Sequence, residues 1–152
     1  MIQTTLCYIR QGDSYLMLHR VKKEQDANRD KWIGIGGKFE DKESPEDCLL
    51  REVREESGLV TVTPVTPELY SLEILTVDGH EKHGRYVSSH LHLNVTYLLE
   101  ANPAQPIRCK LDENSRVGWF TPEEAIEASS EPWFRQRIYS KLNDKLSRFP
   151  AR

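Results

Sequence analysis

Long apolar runs are missing from this chain: none approaches the roughly 20 residues that a membrane-spanning helix needs, so a membrane is not an expected partner. The opening MIQTTLCYIRQGDSYLMLHR breaks its apolar stretches with Arg10 and Asp13 and lacks the basic start and apolar core of a secretory leader. Cysteine is scarce. Cys7, Cys48 and Cys109 are three in number, far apart and without a CxxC spacing, which argues against a disulfide framework or a redox pair and for a cytoplasmic setting. An excess of basic charge is also absent. With 21 Lys plus Arg against 24 Asp plus Glu and a net charge of -3, little is available to neutralise a phosphate backbone, so polymeric nucleic acid is not an expected partner. Repeats, linkers and low-complexity tracts are absent too.

What is present suffices for a core. The 152 residues are 38% hydrophobic and 30% charged, which predicts one globular domain over residues 1–152, folding without disulfides or a structural metal. Residues 2–10 and 14–20 are rich in Ile, Thr, Leu and Tyr around Gln11-Gly12-Asp13, the pattern of a β-hairpin. After a charged stretch over 22–31 and the glycines Gly34, Gly36 and Gly37, a helix is predicted: Ser44 as N-cap, Pro45 in the first turn, Asp47 three residues on, and Gly58 as the stop. Residues 68–77 and 86–99 read as strands joined by a polar, flexible loop. The second alternates, with Leu91, Leu93, Val95 and Tyr97 on one face and His90, His92, Asn94 and Thr96 on the other. A short strand over 117–120, a capping box at Thr121-Pro122-Glu123-Glu124 and a last helix from Ser130-Glu131-Pro132 complete the reading. In that helix Phe134, Ile138, Leu142 and Leu146 recur every four residues. The mixture predicts an α/β (α+β) domain.

Chemistry concentrates in residues 37–59, GKFEDKESPEDCLLREVREESGL. At about 100° per residue, Leu49, Val53 and Leu50 fall in one arc, and Glu55, Glu52 and Glu56 in a second beside it. Such carboxylates repel at i,i+3 and i,i+4 by about 0.2–0.5 kcal/mol per pair, and Arg51 and Arg54 offset only part of that. A solvated charged face explains many helices of this composition. The sharper reading places a cation there, and oxygen-only anionic donors suit hard ions such as Mg²⁺ or Mn²⁺, which also grip phosphates.

The full spacing is Gly37-x5-Glu43-x7-Arg51-Glu52-Val53-x-Glu55-Glu56-x-Gly58-Leu59. It resembles the Nudix box, the motif of the Nudix hydrolase (MutT-like) family, with every fixed position filled; from average composition a chance match is on the order of 10⁻¹⁰ to 10⁻⁹ per starting point. The resemblance implies the Nudix fold, a mixed β-sheet sandwiched between helices, and Mg²⁺- or Mn²⁺-assisted hydrolysis of a nucleoside diphosphate linked to another moiety. It further implies that Glu52, Glu55 and Glu56 ligate metal, that the Gly37 carbonyl is a further ligand, and that Arg51 and Glu43 brace loop and helix. Asp112-Glu113, six or seven residues before Trp119, sits where MutT-like proteins often place an extra acidic ligand, making Glu113 a candidate, although an exposed turn reads equally well.

Among remaining candidates, Arg20, Lys23 and Lys38 have the charge to meet phosphate oxygens, and Trp32 and Trp133 the flat face to stack a base. Four of the five histidines, His80, His83, His90 and His92, fall between 80 and 92. That invites a zinc reading, but His90 and His92 on a polar strand face fit a substrate pocket better. The stretch KWIGIGGKFE and Trp133 resemble the 8-oxo-dGTP diphosphatases among MutT-like enzymes. Two departures stand out: Ile33 lies where those enzymes often carry a polar residue, and Trp133-Phe134-Arg135-Gln136 lacks their acidic residues. An apolar Ile33 cannot hydrogen-bond a purine, so selectivity needs other donors. The leading expectation is a nucleoside triphosphate pyrophosphohydrolase acting on a small nucleotide. An ADP-ribose or nucleotide-sugar pyrophosphatase is the alternative within the enzyme class, and a nucleotide-sensing module without turnover the alternative outside it.

Overall fold

A computed structural model describes residues 1–20, 31–110, 114–129 and 132–151. The hairpin forms as the sequence indicates: β1 (Ile2–Gln11) turns at Gly12, whose φ of 59° only glycine adopts freely, into β2 (Ser14–Arg20). The two strands pair antiparallel only next to the turn, Arg10 with Tyr15 and Gln11 with Ser14, and then splay. Into the opening comes β3 (Lys31–Ile33), paired with β2, followed by the glycine-rich segment 34–38, which bridges β1 at Cys7↔Ile35 and Thr4↔Lys38.

Helix α1 (Pro45–Ser57) starts where Ser44 accepts from the Asp47 amide and ends at Gly58, whose φ is 73°. It is followed by β4 (Val62–Pro64), β5 (Ser71–Val77), β6 (His80–Lys82), β7 (Arg85–Val87) and β8 (His90–Ala101). β8 runs parallel to β1 from Ile2↔His92 to Arg10↔Glu100, while β5 and β4 pair antiparallel with its other edge. β9 (Asn114–Phe120) pairs antiparallel with β2. The result is one seven-stranded mixed sheet. Cys7, Ile9, Val95, Tyr97 and Leu99 pack with Leu49 and Val53 of α1 on one face. Tyr8, Tyr70 and Leu98 pack with Ile138, Leu142 and Leu146 on the other. No helix among the described residues is long and apolar enough to cross a membrane.

Beyond the unforeseen short strands β3 and β4 and an earlier start of β9, three details differ from the sequence reading. The segment between β5 and β8 is not a plain loop: β6 and β7 form a two-stranded ribbon. Its turn, His83-Gly84, has φ values of 52° and 73°, the two positive angles a tight two-residue hairpin turn requires. Leu50, assigned to the core arc, is exposed, because the buried face of α1 is centred further round the helix. The start expected for the last helix, Ser130-Glu131, lies outside the described residues, and the described part contains a π-helical stretch, Phe134–Tyr139, before α3 (Ser140–Leu146). A strict four-residue repeat overshoots an α-helical turn by about 40° per step. The wider π turn absorbs part of that drift, which keeps Phe134, Ile138, Leu142 and Leu146 on the same core. The remaining helix, α2 (Pro122–Ala128), begins with the capping box of Thr121 and Glu124.

Gly36 shows how tightly the glycine segment is held. A Cβ there would lie 2.1 Å from the Thr5 carbonyl oxygen and 3.1 Å from the Leu6 Cα, both backbone atoms that no rotamer can move aside. Gly36→Ala is therefore expected to destabilise the protein by about 3 kcal/mol, read as a fall in Tm of about 6–12 °C; a change within about 2 °C would show that the segment is not clamped.

Candidate active site

The buried side of α1 explains why its carboxylates are not simply a surface comb. Cys48, Leu49, Val53, Glu56 and Ser57 are its buried residues, so Glu52 and Glu56, one and two turns beyond Cys48, lie inside the inward arc rather than beside it. Glu56 is 4% exposed and accepts from the Gly36 amide at 3.3 Å. Glu52 packs directly on Gly37, where a Cβ would lie 2.0 Å from its Oε1. Both carboxyl groups thus face bare backbone, at the one place where a glycine segment leaves room for them.

Arg51 positions this edge of the helix. Its guanidinium donates from Nε to Glu43 Oε1 at 2.8 Å and from Nη2 to Glu43 Oε2 at 2.9 Å, a two-pronged clamp. Nη1 donates to Glu52 Oε1 at 2.7 Å, and Nη2 also reaches the Lys38 carbonyl at 3.1 Å. One side chain therefore fixes the 38–43 loop, the helix and the orientation of Glu52. The hydrogen bonds from Arg51, then that from the Glu40 amide, hold the Glu43 carboxyl at about 2, below the usual 4.3 or so. Because the folded-state value is the lower one, this bracing is fully present above about pH 4.3 and is lost as pH falls through about 2. The parent Tm is accordingly expected to fall more steeply than that of Glu43→Gln between about pH 5 and pH 2; parallel curves would contradict the bracing.

A groove of about 1970 Å³ runs from these carboxylates along the sheet to the π-helical stretch. Of the residues singled out in the sequence, Gly37, Glu52, Glu56, Arg20, Ile33, Lys38, His90, His92 and Trp133 all line it. The lining also includes Leu6, Leu75, His92 and Asn94 of the sheet and Trp133, Phe134 and Tyr139 of the last helical region. Trp32 is not in the lining: it packs edge-on against Phe120 at 4.7 Å and beside His19 at 5.0 Å. Glu55 is exposed and sits with Asp47, Leu50, Arg51 and Arg54 around a separate shallow depression. Lys23, Asp112 and Glu113 lie outside the described residues. The Gly37 carbonyl accepts from the Thr5 amide at 2.9 Å, leaving one lone pair. Among the described residues, no three His, Cys, Asp or Glu side chains converge as a metal centre; His80, His90 and His92 do not form one. Asn94 and Thr4 were not singled out in the sequence, and only the strand alternation pointed toward the groove side.

The NUDIX domain family pattern matches residues 2–142. The chain belongs to the Nudix family. The nucleoside triphosphatase NudI of Salmonella agona (strain SL483) is 28% identical over 127 residues, 80% of this chain and 84% of that protein. The uncharacterized Nudix hydrolase YvcI of Bacillus subtilis (strain 168) is 36% identical over 62 residues, only 41% of this chain and 35% of that one. Among solved structures, the Nudix hydrolase RenU of M. smegmatis matches with a TM-score of 0.69 at 15% identity, covering 99% of this chain and 88% of that one. At that identity the likeness establishes the fold: a mixed sheet with helices, shared with known Nudix hydrolases. This Nudix protein is a pyrophosphohydrolase, and Nudix enzymes in general use divalent metal ions and act on small nucleotide substrates.

Proposed function

We propose that this Nudix enzyme hydrolyses nucleoside triphosphates to the monophosphate and pyrophosphate, with Mg²⁺ or Mn²⁺ held by Glu52 and Glu56. The supporting observation is the continuity of the groove. The inward-facing carboxylates, the cations Arg20 and Lys38, and the aromatic Trp133, Phe134 and Tyr139 all line it. Acid, base and aromatic groups in one groove match the needs of metal, phosphate chain and nucleobase.

The donor set fits a hard divalent cation: two carboxylates and one carbonyl lone pair of Gly37, with no sulfur or nitrogen among them. When bound, such an ion neutralises charge on the phosphate oxygens. The protein's own part is positional. Arg51 holds Glu52 in place, Gly36 and Gly37 keep the backbone within reach, and Lys38 and Arg20 counter charge along the phosphate chain. Glu55, on the exposed side of the same helix, completes the glutamate set that the family motif implies.

The triphosphate reading also agrees with NudI, whose name is that of a nucleoside triphosphatase. Ordinary and 8-oxidised purine triphosphates are both expected substrates, with selectivity of about 10-fold or less where only apolar fit at Ile33 discriminates. The test is kcat/KM across canonical and 8-oxo-purine triphosphates, ADP-ribose and dinucleotide polyphosphates, with product identification. Pyrophosphate from the triphosphates is the expected result; inert triphosphates beside rapid ADP-ribose cleavage would overturn this reading.

A further inference from the structure

An apolar Ile33 leaves open which group reads the base, and the polar floor of the groove answers it. Asn94 is 5% exposed and lies on the lining, clamped at both ends of its amide. Thr4 Oγ1 donates to its Oδ1 at 2.9 Å, and its Nδ2 donates to Thr96 Oγ1 at 3.2 Å. In this orientation the two bonds use one lone pair and one N–H of the amide. One acceptor and one donor remain.

Two residues along the same strand and on the same face lies His92, half-buried and also on the lining. Its tautomer follows from its neighbours. The Ser88 carbonyl can only accept, so His90 Nδ1, 2.9 Å away, carries a proton. In neutral His90 the Nε2 is then an acceptor, and the 3.2 Å contact with His92 Nε2 places the proton on His92. His92 Nδ1 is left with a lone pair. Burial first, then the proximity of His90 and Lys38, lowers the pKa of His92 and keeps this ring neutral.

We propose that Asn94 and His92 together read the Watson–Crick edge of a guanine-type base: amide N–H to O6, amide oxygen to N1–H, and His92 Nδ1 to the 2-amino group. An adenine edge, donor then acceptor, sets donor against donor and acceptor against acceptor at the amide, whereas hypoxanthine matches the amide pair and lacks only the 2-amino group. Thr4 is a positioning residue that holds the amide in its orientation. The inference rests on the proposed nucleotide reading of the groove. It implies that ordinary and 8-oxidised guanine are read alike here, because the oxidised carbon is on the opposite edge of the ring.

The test uses equilibrium binding, so that it does not depend on turnover: calorimetric titration of the full chain with dGMP, dIMP and dAMP in EDTA at about pH 8, above the ordinary histidine range. The parent is expected to bind dGMP about 3- to 10-fold tighter than dIMP, the worth of one hydrogen bond, and dAMP more weakly still. His92→Phe should bring dGMP down to the dIMP value and leave dIMP unchanged. Asn94→Leu should erase the dIMP preference over dAMP; Asn94→Asp, the same shape without the amide donor, should do likewise should leucine disturb the strand. Three nucleotides binding alike, none binding, or variants that weaken all three by one factor would overturn the inference. Hydrolysis failing while this order holds would instead remove the proposed reaction and keep the base reader.

Discussion

Glu56→Gln, and separately Glu52→Gln, should each lower turnover of a nucleoside triphosphate by about 10²- to 10³-fold with the fold intact. Each substitution keeps the shape and removes one of two charges that face the glycine segment, so the loss falls on cation binding and charge neutralisation rather than on packing. Stability separates the two variants. Glu56 is 4% exposed and close to Glu52, and a glutamine oxygen still accepts from Gly36, so Glu56→Gln should hold or raise the metal-free Tm by relieving like-charge repulsion. Glu52→Gln gives up a charge-assisted bond from Arg51 at 2.7 Å and should gain less. The check is kcat under saturating divalent ion together with Tm in chelator. Near-parental turnover in either variant would remove that residue from the site.

The order of elements was largely legible because local chemistry set it: the Gly12 turn, the Ser44 cap, the Gly58 stop and the Thr121 capping box all lie within a few residues of what they terminate. The spacing of residues 37–59 carried the family in the same way. What eluded a linear reading depends on the third dimension. A helical wheel shows that Glu52 and Glu56 neighbour Leu49 and Val53, but not that the splay of β1 and β2 admits a glycine segment for those carboxylates to face. The same rotation left Leu50 exposed. Trp32 carries a stacking ring, yet Phe120 and His19 already occupy it. The ribbon of β6 and β7 was missed because His83-Gly84 is an uncommon way to write a two-residue turn. Asn94 was visible only as one polar residue in an alternating strand, since its importance comes from Thr4, 90 positions earlier in the chain.

Divalent-ion removal has the other large expected effect, and it tests the central claim that the inward carboxylates of α1 serve a metal-assisted hydrolysis. The basic side chains among the groove's described lining residues, Arg20, Lys31, Lys38 and Lys82, each offer a single positive charge, while cleaving a phosphoanhydride stabilises charge on several oxygens at once. The decisive measurement is pyrophosphate release from a nucleoside triphosphate by the parent protein, in EDTA and after adding back excess Mg²⁺ or Mn²⁺. The account predicts a fall to background in chelator, full recovery with either ion, and no recovery by the same additions in Glu56→Gln. Undiminished pyrophosphate release in EDTA would contradict it.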